Sequence, residues 1–538
     1  MDLVLPAFVA LWALLWALLE AREPGAPIIH AVQEVHQPDK HVSDAAVALD
    51  PAQVSSESAS QHRRDIVHND DDDDSKSDDS NHNSSGSDDN IRLALLKNLR
   101  KTRDQVKPRS ADGKIAIGFN VCVDAVVDAL ELLQKSGVEP VQGKLPQSVT
   151  SLDDVGEIFT HLFERAAGGE RFVEDDETFA SLEDGLAQCD SRRLLLGGNA
   201  AIMAVVFARD WNFKHISLGG PIGPFAEPLL PAQVATFSLD EGEDVLGVKT
   251  KADEVHIIME YKKGSKWAGS AARRANRFIV SRDLSNAVIA ALEPLMEHVR
   301  DAPDGPFDLL IAAGLHMLDA MEADVQRKRV GEIAESFRSL PAETLIHFEL
   351  AAVGKPILLE ELGTRILPEV DSLGLNEQEI GALYVALGLD GVNLDAVTGL
   401  VPDVEAVTKI ITDILAGAER LGRIHFHCFG YHVLALKKAS IDRWPHATSS
   451  VAAGSVKASE RACASANLGA QDVTLQLHGP IRFAGSQREY RVTPESPVIE
   501  HETETLYFAL APVLTCNEPV QTVGLGDSIS ASALAYQI

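Results

Sequence analysis

Leu309-Leu310-Ile311-Ala312-Ala313 is a continuous apolar run, and helix-like sequence follows it. A run this short that stays apolar on both alternating faces suits a strand buried between two layers of helices. The unit recurs. Lys114 to Phe119 precedes a helix expected from Val123 to Lys135, and Leu194 to Leu196 precedes Ala200 to Arg209. Leu345 to Glu349 and Ile424 to His427 again stand ahead of helix-like sequence. This rhythm predicts an α/β fold with a mostly parallel central sheet flanked by helices. Between Lys249 and Val280 the pattern changes to Glu254-Val255-His256-Ile257-Ile258-Met259-Glu260-Tyr261, a Lys262-Lys263-Gly264 turn and Arg277-Phe278-Ile279-Val280. These read as strands. With residues of about 146–180, the stretch of about 249–280 is expected to form a small, mostly β lid.

Outward from this core, the chain divides into three parts. Leu3 to Leu19 is nearly unbroken apolar sequence, so residues 1–22 read as a signal peptide or membrane anchor. That implies the endoplasmic reticulum or secretory pathway, with secretion as the alternative and a membrane tether through residues 3–19 as one outcome. Residues 23–90 carry the run Asp70 to Asp74 and Ser/Asp repeats, which cannot bury enough apolar surface to fold, so they read as a disordered acidic linker. Residues 91–538 form the expected folded domain, taken as a monomer. The formal net charge of -32 excludes a nucleic-acid partner.

Near the C-terminus stands Gly524-Leu525-Gly526-Asp527-Ser528, followed by Ala-rich helical sequence. Two glycines before a helix leave backbone N–H groups pointing outward at its positive end, which suits a phosphate. Asp527 there is placed to take a proton from an attacking hydroxyl, although an ordinary helix cap has the same sequence. Asn376-Glu377-Gln378-Glu379 is formally a capping box, and a magnesium carboxylate at Glu379 is the functional alternative. In Ile346-His347-Phe348-Glu349 the period of two puts His347 and Glu349 on one face at a strand end, where α/β sheets bind ligands. His425 and His427 share a strand face, but with His432 they show no fixed four-ligand zinc spacing. Gln326-Arg327-Lys328-Arg329 reads as a solvated helix face.

His-x-Glu, Asn-x-x-Glu and Gly-x-Gly-Asp, in this order, resemble the ADP-dependent glucokinases of the ribokinase-like superfamily, the animal form most closely. Gly118-Phe119-Asn120-Val121-Cys122-Val123-Asp124, Gly197-Gly198-Asn199, Ala275-Asn276-Arg277-Phe278-Ile279, Gly314-Leu315-His316-Met317 and Arg423-Ile424-His425-Phe426-His427 agree. The likeness runs from about Lys114 to Ile538. It implies a ribokinase-like fold and phosphorylation of D-glucose to glucose 6-phosphate, with ADP as co-substrate and AMP as product. Asp527 resembles the catalytic base, and Gly524 and Gly526 the anion hole. Asn120, Asp124, Gly198, Asn199 and the lid carboxylate Glu170 match sugar contacts. Arg277 and His427 match the nucleotide side. Glu349, Glu379 and Asp527 match the site of one Mg²⁺ per subunit. Two other functions remain open, an ADP-dependent phosphofructokinase and a catalytically silent sugar-binding protein of the secretory pathway.

Of five cysteines, Cys122 and Cys428 fall in apolar strands and read as buried thiols, while Cys189 sits in polar sequence without an evident partner. A Cys463–Cys516 disulfide is therefore expected, although connectivity is not fixed by sequence.

Overall fold

A computed structural model describes residues 84–538, apart from 109–111, 142–145, 147–148, 166–168, 238–252, 274–275, 400 and 521–523. The apolar Leu3–Leu19 run and most of the acidic linker lie outside the described residues. The end of that linker does not stay irregular, because a helix runs Ser84–Arg103. Its Leu95, Leu96 and Leu99 are buried in the core. No helix among the described residues is long and apolar enough to cross a membrane.

The central sheet has ten strands. From one edge these are β17 (Ile499–Glu502), β18 (Leu506–Pro512), β15 (Tyr431–Lys437), β14 (Arg423–His427), β13 (Ser372–Asn376), β12 (Leu345–Glu349), β11 (Leu309–Ala313), β1 (Lys114–Phe119), β5 (His215–Gly219) and β6 (Val234–Phe237). From β6 to β14 the strands are parallel, and β15, β18 and β17 join antiparallel. β14 is thus followed by a hairpin partner rather than the expected helix, because His427 and His432 pair across a short turn.

Alternation along the strands feeds two cores. Ile115 and Ile117 of β1 enter one, and Ala116 and Phe119 the other. In β12, β13 and β14 the second face stays apolar (Ile346, Phe348, Leu373, Leu375, Ile424, Phe426). Their first face carries His347, Glu349, Ser372, Arg423, His425 and His427, all buried. This polar seam is roofed by the helices Ala447–Ala462 and Leu525–Leu534.

A second sheet of five strands, in the order β3 (Gly169–Phe172), β10 (Asn276–Ser281), β7 (Val255–Tyr261), β2 (Cys122–Asp128) and β4 (Arg193–Gly197), forms the lid. Two expectations change here. The helix foreseen from Val123 begins only at Ala129, because Cys122 to Asp128 pair as a strand with β7 and β4. The Leu194–Leu196 run belongs to the lid rather than to the parallel sheet, so the lid takes in residues well outside 146–180 and 249–280. Two short pairs complete the fold, β8 (Lys266–Trp267) with β9 (Ser270–Ala271), and β16 (Val473–Leu475) with β19 (Leu514–Cys516).

Cys463 and Cys516 are bonded, with Cα atoms 5.5 Å apart. Closing a loop of 53 residues contributes about 4 kcal/mol in the chain-entropy account. It ties the helix Ala447–Ala462 to β19, the last strand before the Gly524 turn. Cys122, Cys189 and Cys428 are buried free thiols. The basic cluster at residues 326–329 is not a solvated face throughout. Arg329 is buried, bonded to Glu293, Glu332 and the carbonyls of Val288 and Ile289.

Candidate active site at the strand ends

The C-terminal ends of neighbouring parallel strands deliver Asn120 just after β1, Glu349 at the end of β12, Asn376 at the end of β13 and His427 at the end of β14. Strands that run parallel must present these ends on one edge, which is why four sequence-distant segments meet there.

The helix Leu525–Leu534 is capped by Gly524 at φ 64, a left-handed conformation that costs glycine little. A Cβ there would also meet Ile202 Cδ1 at 2.4 Å. Asp527 is therefore not the helix cap but the third residue inside the first turn. Gly526 faces the His427 ring, whose Cε1 would lie 3.1 Å from an added Cβ. Burial first, and then repulsion from Glu349, push the Asp527 carboxyl up to about 7, while His427, Arg461 and its own N–H pull it down.

Glu349 sits at the end of a hydrogen-bonded chain. Arg423 donates to Ser372 Oγ at 2.8 Å, the Ser372 hydroxyl donates to His347 Nδ1 at 2.8 Å, and His347 Nε2–H donates to Glu349 Oε2 at 2.8 Å. This tautomer follows from the ionised Glu349 carboxylate being acceptor only, which requires Nε2–H and leaves Nδ1 to accept. Ser530 donates to Glu349 Oε1 at 2.8 Å, and His427 Nε2 lies 3.8 Å from the same oxygen. Burial opposes ionisation, but the hydrogen bond from His347 and the nearby His427 imidazole outweigh it and hold Glu349 down to about 2. Glu349 is thus a fixed anion.

The capping-box reading of Asn376–Glu379 holds in the structure. Asn376 Oδ1 accepts from the N–H groups of Gln378 and Glu379, and Glu379 Oε2 accepts from Asn376 N at 2.8 Å, which completes the capping box. Asn376 Nδ2 donates to Glu379 Oε1 at 2.8 Å. Burial raises the Glu379 carboxyl well above its usual range, helped by Glu349, Glu377 and Asp527. Several carboxylates therefore share one dry corner, with Asp527 and Glu379 resisting ionisation because of the others. Carboxylate oxygens, four of them already hydrogen-bonded, are the donor set of a hard cation that keeps much of its own water, and Mg²⁺ fits that description.

On the other side of the strand ends, Asn120 Nδ2 donates to Asn199 Oδ1 at 3.0 Å. Gly198, the cap of the helix Asn199–Arg209, packs at φ 83 against the Asn120 carbonyl, which an added Cβ would meet at 2.5 Å. Asp124 lies two residues into β2, half-buried, with Cys122 Sγ 3.7 Å from its Oδ1. Burial raises its carboxyl, while His256, Cys122 and Arg277 lower it. Arg277 stands on β10 opposite Glu260 of β7, close enough to Asp124 to act on its charge. Glu170 lies in β3, paired with Ile279 of β10.

The expected residues thus form two groups. Glu349, Glu379, His427, Gly524, Gly526 and Asp527 meet at the helix start, and Asn120, Asp124, Gly198, Asn199 and Arg277 surround the passage from sheet to lid. Several participants were not foreseen. Ser530, Arg461 and Ser372 serve the first group, and His256, Asp283 and Asn286 the second. Ser530 lies one helical turn after Asp527, a spacing that could have flagged it.

The family described as the ADP-specific phosphofructokinase/glucokinase conserved region matches residues 113–536. An ADP-dependent glucokinase from Bos taurus is 35% identical over 446 residues, covering 80% of this chain and 86% of that protein. A probable ADP-dependent glucokinase from Caenorhabditis elegans is 29% identical over 451 residues, with 80% and 86% covered. Among solved structures, a hypothetical ADP-dependent phosphofructokinase from Pyrococcus horikoshii superposes with a TM-score of 0.60 at 19% identity, covering 80% of this chain and 98% of that one, and supports the fold.

Proposed function

The chain belongs to the ADP-specific phosphofructokinase/glucokinase family, and on that premise we propose that it phosphorylates D-glucose with ADP, giving glucose 6-phosphate and AMP. The observation that carries the mechanism is Asp527 in the first turn of the C-terminal helix, its carboxyl pushed up to about 7 beside the anionic Glu349. A base needs a proton affinity near the working pH, and this corner supplies it.

The sugar lies against Asn120, Asp124, Gly198 and Asn199, with Glu170 reading it from lid strand β3. Its 6-hydroxyl gives its proton to Asp527 as the oxygen attacks the terminal phosphorus of ADP. The bond to the bridging oxygen breaks, and AMP leaves. Backbone N–H groups at Gly524 to Asp527 face the charge on the transferred group. Arg277 holds the nucleotide phosphates from the lid, and His427 packs over Gly526 on the nucleotide side. Glu349, Glu379 and Asp527 would hold one Mg²⁺, which supplies positive charge to the phosphates when bound. The relatives named glucokinases exceed 25% identity, whereas the phosphofructokinase from Pyrococcus abyssi is 25% identical over 66% of this chain. Glucose is therefore preferred over fructose 6-phosphate, whose own phosphate an acidic lid residue would repel. The Cys463–Cys516 bridge and the apolar Leu3–Leu19 run support a place in the secretory pathway, where disulfides persist.

Purified protein is incubated with MgADP and either glucose or fructose 6-phosphate, and nucleotide and sugar products are quantified. Glucose 6-phosphate and AMP should form in equal amounts. Preferred turnover of fructose 6-phosphate would transfer the chain to the phosphofructokinase branch, and no turnover of either would leave the silent sugar-binding reading.

A further inference from the structure

Cys122, Asp124 and His256 converge on one face of the lid sheet. Cys122 and Asp124 are two apart on β2 and so point the same way. His256 on β7 stands opposite Asp124 in register. Together they offer a sulfur, an oxygen and a nitrogen, all within 4.8 Å of one another. Cys122 Sγ lies 3.7 Å from Asp124 Oδ1, and His256 Nδ1 lies 3.9 Å from the same oxygen. Ligands of a tetrahedral zinc with ordinary bond lengths stand about 3.4–3.5 Å apart for S···O and N···O pairs. The two distances to Asp124 Oδ1 exceed these by a few tenths of an ångström.

The surroundings are already those of a metal-bound imidazole. His256 Nε2–H donates to Asp283 Oδ2 at 2.7 Å, and Asn286 Nδ2 donates to Asp283 Oδ1 at 3.0 Å. That bond occupies Nε2 and leaves Nδ1 turned toward Asp124 and Cys122, able to ligate once its own proton is displaced, in the carboxylate–histidine arrangement that backs metal ligands. Across β4, Gly197 pairs with Cys122. A Cβ there would come within 2.6 Å of Asp124 Oδ1 and 2.7 Å of Cys122 Sγ, so glycine alone leaves both ligand atoms uncovered. The side chains of His256 and Asp124 keep 18% and 13% of their exposure, enough for entry from solvent.

We propose that Cys122, Asp124 and His256 bind a borderline-soft divalent metal, of which Zn²⁺ is the type, with water as fourth ligand, and that this metal competes with glucose for Asp124. A thiolate donor selects such an ion over Mg²⁺, which the oxygen-only corner around Glu349 favours. Burial pushes the Cys122 thiol up to about 12, so its proton, like the one on His256 Nδ1, passes to solvent as the metal binds and the sulfur–metal and nitrogen–metal bonds form. Metal binding stands independently of the proposed function, and competition with glucose rests on it.

The full chain, freed of metal with a chelator, is titrated with Co²⁺ and followed by absorbance. One equivalent should produce a thiolate-to-cobalt charge-transfer band in the near ultraviolet, which Zn²⁺ then abolishes. Cys122→Ser should remove the band, Cys428→Ser should keep it, and His256→Gln should weaken binding by at least about tenfold, the size typical of ligand-shell losses. In kinetics with glucose and excess MgADP, Zn²⁺ should raise the KM for glucose and leave the KM for ADP unchanged. Absence of the band in the wild-type protein, or its survival in Cys122→Ser, overturns the site. A cobalt band with no effect of Zn²⁺ on the KM for glucose overturns the competition. Metal binding in a protein that turns over neither sugar keeps the site and overturns the function.

Discussion

Two buried clusters of acids and imidazoles flank the cleft, and they balance charge in opposite ways. At the lid edge, burial alone would lower the His256 imidazole, but Cys122 and Asp283 raise it well above its usual range. The cluster carries its own cation. At the strand ends, Glu349 takes the hydrogen bonds of His347 and Ser530, and burial leaves the His347 imidazole lowered rather than charged. Glu379 and Asp527 are then pushed up by what surrounds them. Arg423 and Arg461 do not offset all the acids of that corner, so it suits an arriving cation and holds a base. The lid edge, with its imidazole cation facing Asp124 and Asp283, is suited to holding a neutral polyhydroxyl ligand as long as no metal displaces that proton. Burial acts on both clusters, and the partners determine the outcome.

The contrast can be broken most severely at Glu349. Glu349→Ala leaves the donors of His347 and Ser530 facing an empty site, and should destabilise the fold by about 3–5 kcal/mol, the cost of removing one partner from a buried charged network. Asp124→Ala at the lid edge, where 13% of the side chain stays exposed, should cost well under half of that. Chemical denaturation of both variants decides, and equal losses would erase the distinction.

Asp527→Asn should have the opposite sign. The Asp527 carboxyl binds its proton more tightly folded than unfolded, so wild-type stability is whole below about pH 4 and declines as pH rises through about 7. The amide has no such loss. Metal-free Asp527→Asn should therefore be more stable than wild type at pH 8, by up to about 4 kcal/mol, and equal to it near pH 4. Thermal melts at the two pH values test this, and a destabilised variant at pH 8 would contradict the surplus of negative charge. Asp283→Asn should have the smallest effect. It withdraws the anion that holds the His256 proton, and should raise the KM for glucose by about three- to tenfold, roughly 1 kcal/mol, with little change in kcat. A larger fall in kcat than rise in KM would join the two clusters into one.

The strand-end site was legible because strand ends, alternation and a glycine-flanked helix start are local patterns. His347 and Glu349 share a face, and Asp527 opens its helix, as residue spacing alone requires. The lid was less legible. Val123 to Lys135 has helix-like spacing, yet its first half is drawn into a strand by β7 and β4, which lie more than fifty residues away in the chain. Ser530 and Glu349 are separated by 181 residues, so nothing local marks their bond. Arg329 looked like a surface residue for the same reason, since Glu293, which neutralises it, comes from another helix.

The central claim is that the corner around Glu349 keeps Asp527 as a proton acceptor for the sugar hydroxyl. Steady-state kinetics of Asp527→Asn with glucose and MgADP, alongside binding of each substrate, tests it most directly. The account predicts a kcat lower by about 100-fold or more, the scale of a lost general base, with glucose and ADP affinities nearly unchanged. A variant that turns over glucose at close to the wild-type kcat would contradict it.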